Sequence, residues 1–228
     1  MRGGSGEAGF SLPELIVAMF LFSIVSTLAV TLVVTVSQAF MRERAATDST
    51  NVAAVGMNEV TRIIRAGTLV PQASGNDLPV FAEAKKESVT LHAYIDTSSS
   101  TPRPLRVRFA IDPATRDLVE TRWLSTPHPT VPGAWVFNST PDSSRVIARK
   151  IVVPAGGEAS LFTYYRIVAG EPQEISIGSG GVSSSLFGEI AVVEVRMKVQ
   201  ADITERADPV TITNRVGLPN LGISRLEL

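Results

Sequence analysis

Glu14 is the residue whose placement most asks for a chemical explanation. It directly precedes a run, Leu15 to Met41, that carries no charged side chain. An ionisable group where a helix begins to enter lipid is costly, and it is by default a functional candidate. A local role also exists. Ser11-x-x-Glu14 fits a capping box, with Ser11 as N-cap, Glu14 at the third helical position and Pro13 tolerated in the first turn. A carboxylate there also suits the helix dipole. Capping explains why Glu14 is comfortable at a helix start, but not the Gly9-Phe10 pair just upstream.

Elsewhere the chemistry is sparse. The two histidines, His92 and His128, have neither the i, i+4 nor the cysteine-paired spacing of a metal site. His92 reads as a surface or edge residue of a strand, and His128 lies in the proline-rich loop STPHPTVP. Asp112 and Asp117 flank a turn and could bind a cation, but turn formation is the commoner use of such residues. No nucleophile elbow, phosphate loop or dinucleotide fingerprint appears. Arg106, Arg108, Arg145, Arg149 and Lys150 read as solvated strand faces. Asn138-Ser139-Thr140 fits a glycosylation sequon, a pattern that often occurs by chance. The expectation is a protein that is not an enzyme, with no cofactor and no metal.

The elements that must position Glu14 follow from hydropathy. The chain has 228 residues, no cysteine and a formal net charge of −1. That charge gives no general pull toward nucleic acid or anionic membranes, and no disulfide framework can form. About 27 consecutive uncharged residues would make a helix of roughly 40 Å, against a hydrocarbon core of about 30 Å. This is too long for the apolar part of a conventional secretory signal, and no small-x-small cleavage site closes it. A plain single-pass anchor explains the length but not the residues before Leu15. Beyond it, Ala53, Met57, Val60 and Ile64, with Gly56 and Ile63 beside them, form an apolar stripe at helical spacing. Arg42, Glu43, Asp48, Glu59, Arg62 and Arg65 fall mostly off it. Gly67 reads as the C′ residue, with Pro71 following.

From about residue 70 the period becomes two. Strands are expected at 88–95, 105–111, 118–123, 145–153, 161–168, 174–178, 190–200 and 210–218. Loops are expected at 96–104, 124–144, 154–160 and 178–185. Strands apolar on one face favour an antiparallel sheet. The fold class is therefore α+β, a long N-terminal helix packed on a β-rich domain. Its segments are 1–9, a helix over 10–66 (10–41 membrane-spanning, 42–66 amphipathic) and a globular domain over 67–228.

Gly9-Phe10-Ser11-Leu12-Pro13-Glu14-Leu15, followed by IVAMFLFSIVSTLAV, resembles the cleavage and methylation motif of type IV prepilins and pseudopilins. That motif is a short leader ending in glycine, then phenylalanine, then glutamate five residues into the mature chain, then about twenty apolar residues. The resemblance implies that residues 1–9 are a leader and Gly9 its last residue, required by the prepilin peptidase. Phe10 would become the new N-terminus and be N-methylated by the same enzyme. Glu14 would pair with the terminal amine of a neighbouring subunit. Physics favours that pairing, because a lone carboxylate among apolar helices is expensive unless partnered. Only correct axial register supplies the amine.

The later strand pattern is similar to the larger minor pilins and the type II secretion pseudopilins thought to lie near filament tips. The absence of cysteine departs from the C-terminal disulfide loop of many major pilins, and no proline interrupts the apolar run as it does in many relatives. Some pseudopilins bind calcium, but no matching ligand set is visible here. The implied location is the inner membrane, single-pass, with the globular domain outside the cytoplasm, and then a pilus or pseudopilus. The implied partners are the prepilin peptidase, other pilins or pseudopilins, the bilayer before assembly and, indirectly, an assembly ATPase and platform membrane protein. DNA contact through the arginines is the less favoured reading. The alternative to a filament subunit is an uncleaved, membrane-anchored binding domain.

Overall fold

A computed structural model describes residues 11–95, 102–200 and 208–218. Helix α1 runs unbroken over Leu12–Arg65. Ten strands follow in chain order: β1 Phe81–Ala84, β2 Ser88–Tyr94, β3 Pro104–Ile111, β4 Leu118–Pro127, β5 Trp135–Phe137, β6 Ser143–Ala148, β7 Phe162–Val168, β8 Glu171–Ile175, β9 Val192–Val199 and β10 Val210–Gly217. A short 3-10 helix, Ser184–Glu189, precedes β9. The chain divides into two compact units, one ending at Arg44 and one beginning at Ala45.

The first unit contains the apolar part of α1. Its large side chains from Leu12 to Met41 are exposed, as expected of a segment whose apolar surface faces all round. Its hydroxyls are satisfied within the helix. Ser23, Thr27, Thr31 and Thr35 each donate to the carbonyl four residues earlier, at 2.8 Å. In hydrocarbon an unpaired hydroxyl is costly, and this back-bonding avoids it.

The second unit is the α+β domain. Its helical part buries Ser49, Ala53, Gly56, Met57, Val60, Thr61, Ile63 and Ile64, which includes the whole stripe read from spacing. The strands form two antiparallel sheets rather than one. The first has the order β1-β2-β3-β4-β5, with β6 also pairing β4; the second has the order β10-β9-β7-β8. One core of Phe81, Leu91, Phe109, Leu118, Phe162, Tyr164, Val195 and Met197 joins both sheets to the helix. Along β9, Val193, Val195, Met197 and Val199 are fully buried and their neighbours only partly so, matching the expected alternation.

Gly56 shows how close the helix comes. A Cβ there would stand 2.8 Å from the Ala148 Cβ and 3.1 Å from the Met197 sulfur. Gly67, at the position just past the end of α1 where the sequence put the C′ residue, has a similar role. Its φ is not among the positive ones. A side chain there would instead strike Val80 Cγ1 at 2.8 Å and the Ile64 carbonyl at 2.9 Å.

Other expectations change at their edges. The segment 124–144 is not wholly loop. β4 continues to Pro127 and pairs with β5 through Ser125–Phe137 and Pro127–Trp135. The strand expected over 145–153 ends at Ala148, because Lys150 takes φ 59°. Ile151 then bridges to Val199 of the second sheet. β1 had no signal strong enough to be expected, and β8 lies three residues earlier than expected.

Candidate functional site

The carbonyl of Ser11 accepts the amide hydrogen of Leu15 at 3.1 Å, the first hydrogen bond of α1. Ser11 therefore stands at the N-cap, Pro13 falls in the first turn and Glu14 is the acidic residue of that turn. Proline is tolerated there because the first turn's amides have no partner within the helix. Glu14 is exposed and makes no ion pair among the described residues. Gly9 and Phe10 lie outside the described residues. The arrangement thus presents a carboxylate at the start of a helix long and apolar enough to cross a bilayer, where an ionisable group is costly unless paired.

The other sequence candidates form no reactive constellation. His92 is not a surface residue: it is 1% exposed. Its Nδ1 donates to the Pro79 carbonyl at 2.8 Å, which leaves Nε2 to accept from Arg106 Nε at 3.5 Å. The Phe137 ring covers it at a centroid distance of 5.0 Å, and Arg106 sits over the same ring at 4.8 Å. Burial is the main reason its imidazole is held below the ordinary value, and the Arg106 charge adds to this. Arg106 is accordingly a half-buried packing residue, not a solvated one. The sequence placed His92 on the polar parity of β2; what it could not reveal was that residues 135–137 return to cover that face.

His128 Nδ1 accepts the backbone amide of Val131 at 3.2 Å, a loop-shaping contact. Asp112 caps its turn by accepting from the amides of Ala114 and Thr115, which holds its carboxyl below the usual range. Asp117 accepts from the amide of Lys150. The Asn138 amide bonds the Asp142 carboxylate. Among the described residues no three His, Cys, Asp or Glu side chains are gathered to hold a metal ion.

One charged cluster escaped sequence reading. The Glu120 carboxylate is fully buried and is clamped by Arg122 Nε and Arg145 Nε. Glu59 of α1 accepts from Arg62, Arg122 and Arg145. These five side chains tie the helix to β4 and β6, so Arg145 is a tether as well as a surface residue. A signal was present. Glu120 shares its face of β4 with the buried Leu118, so strand parity alone directs it inward.

Residues 4–30 match the family model described as the prokaryotic N-terminal methylation motif. No curated protein matches the chain. The chain thus carries a prepilin-type N-terminal methylation motif at the head of a long apolar helix, joined to an antiparallel β domain, and is consistent with a type IV pilin-like protein.

Proposed function

We propose that this protein is a minor pilin or pseudopilin, made as a single-pass precursor in the inner membrane. A prepilin peptidase cuts it between Gly9 and Phe10 and N-methylates Phe10. It is then drawn into a type IV pilus or a type II secretion pseudopilus, at or near the tip. The observation that carries this reading is the methylation motif at residues 4–30 lying across the start of α1, with Glu14 in the first turn.

The roles follow from the physics of the segment. Before assembly, the apolar surface of Leu15–Met41 is covered by lipid. In a filament it is covered by the same segment of neighbouring subunits. Glu14 has no counter-charge in lipid, whereas in a filament the Phe10 amine of an adjacent subunit supplies one. Cleavage creates that amine, so processing and assembly are coupled through one ion pair, and the pair selects a single axial stagger. The energy for extraction comes from the assembly ATPase and platform protein.

The test is Glu14→Ala in a host with an active prepilin peptidase. Processing at Gly9-Phe10 should survive, while incorporation into sheared filaments should fall at least tenfold, equivalent to about 1.4 kcal/mol per subunit contact. Normal incorporation would remove the pairing role. A chain that stays uncleaved in the membrane would instead be an anchored binding domain.

A further inference from the structure

The edge of a β-sheet is a row of unsatisfied donors and acceptors, and proteins blunt it with proline, lysine, a bulge or a covering segment. Four strand edges of this domain are blunted in these ways. The Val168–Glu171 pair closes the two-residue β7–β8 turn, so it is a hydrogen-bonded pair. The next pair, Ile167–Pro172, therefore turns its backbone groups outward, where Pro172 has no N–H to offer. At β1 the Ala84 carbonyl already accepts the amide of Val182 at 2.8 Å, and at β5 the Trp135 amide donates to the Pro71 carbonyl at 3.1 Å. β6 carries a register shift where it meets Leu118 and Val119.

β10 has none of these devices. It pairs β9 in unbroken register from Val210–Val199 to Gly217–Val192, and it contains neither proline nor lysine. The Leu218 amide donates to the Ala191 carbonyl at 3.0 Å, which continues that register and fixes its phase. The backbone groups of Val210, Ile212, Asn214 and Val216 therefore turn toward β9, and those of Thr211, Thr213, Arg215 and Gly217 turn outward. Among the described residues no backbone bond reaches these outward groups. The one charged side chain of β10, Arg215, is folded back over the sheet. There it pairs with Glu194 and lies 5.1 Å from the centre of the Tyr165 ring. The core-facing side is unfinished at this edge, because Val216 is fully buried but Ile212 only partly.

We propose that the outer edge of β10 takes up one extended strand from a different, non-identical subunit of the filament, with apolar residues at alternate positions over Ile212. A row of alternating donors and acceptors is complementary to another strand, and eight residues offer about 26 Å of it. A second copy of this chain does not fit. Two identical edges pair antiparallel about a two-fold axis normal to the sheet. That axis reverses every direction lying along the sheet, including that of the part of α1 packed on it. The two copies of α1 would then run in opposite senses, and both could not start from one membrane. The edges at β1, β5, β6 and β8 of a second copy are the blunted ones. The contact is thus made once, to a chain of other sequence, and does not propagate, as suits a minor subunit. This deepens the filament-subunit reading and rests on it.

The test places the photoreactive residue p-benzoylphenylalanine at position 211 of the full chain, in a host with an active prepilin peptidase, and maps the adduct by mass spectrometry. The expected adduct joins a chain of other sequence that bears its own prepilin-type motif, at a segment of alternating apolar and polar residues. Thr213→Pro removes one outward N–H and no bond to β9, and it should cut the adduct roughly tenfold. Should that variant fold poorly, Thr213→Lys sets a charge on the same edge and should act alike.

An adduct that neither variant diminishes overturns the edge pairing. An adduct to residues 219–228 of the same chain, to a second copy at twice the chain mass, or to a protein without a prepilin-type motif overturns the occupant. No adduct, in a chain whose intact mass shows cleavage after Gly9, overturns this docking and leaves the filament reading standing. A chain that still begins at Met1 overturns the filament reading itself and this inference with it.

Discussion

Replacing Glu120 by glutamine keeps the side chain's shape and removes its charge. In the structure one carboxylate oxygen accepts from Arg122 Nε and the other from Arg145 Nε, and the side chain has no solvent exposure. An amide offers one acceptor and turns an NH2 toward the other guanidinium, so one contact becomes donor against donor. Among the described residues three arginines are then left with Glu59 as their only carboxylate. Breaking a buried ion pair from one side costs about 3–5 kcal/mol. Arg145 is 56% exposed along its side chain and can rehydrate, which lowers the figure. Glu120→Gln should therefore destabilise the β domain by about 2–4 kcal/mol. The assay is urea unfolding of the full chain in detergent, followed by tryptophan fluorescence, with both tryptophans, Trp123 and Trp135, in this domain. A loss below about 0.5 kcal/mol would refute the reasoning, because it would mean that the cluster gains no more than a surface ion pair does.

Gly56→Ala gains helix propensity of about 1 kcal/mol but drives a methyl group into the Ala148 Cβ, which has no rotamer to move through. Overpacking costs about 1–3 kcal/mol, so we expect a net loss of stability in the same urea experiment. Acid should also weaken the fold in two steps. His92 is held below its ordinary value, chiefly by burial, so it binds its proton more readily when unfolded. Its contribution is complete above about pH 6.5 and is lost as pH falls through the folded value. Glu59 is held below its ordinary 4.5 by its hydrogen bond to Arg62, so its contribution is complete above that value and lost beneath it. A urea midpoint that falls between pH 6.5 and 4.5 in the parent, and stays flat there in His92→Phe, checks the first step.

The helix and its motif were readable because each rests on local pattern. The Ala53–Met57–Val60–Ile64 stripe, the charge-free run and the Gly9-Phe10…Glu14 spacing need no knowledge of distant residues. The long strands β2, β3, β4 and β9 were visible for the same reason. What escaped depends on partners far along the chain. β5 has only three residues in a proline-rich stretch, and its pairing with Ser125–Pro127 is what makes it a strand. Phe137 buries His92 across 45 positions of sequence, and no periodicity encodes that. Between the two sheets Lys150 takes a positive φ and Ile151 forms an isolated bridge to Val199 of β9, a long-range pairing that no local pattern encodes. Gly67 was legible as the residue that follows the helix, but its close packing against Val80 was not. Glu120 was within reach by parity with Leu118, but an acidic residue between Val119 and Thr121 reads most simply as solvent-facing.

The central claim is that the Gly9-Phe10 bond is cut and that the new terminus is used in assembly. The most direct measurement is the intact mass of the protein recovered from the envelope of a host with an active prepilin peptidase. A chain lacking residues 1–9 and carrying one added methyl group on Phe10 is the predicted result. A mature chain that still begins at Met1 contradicts it.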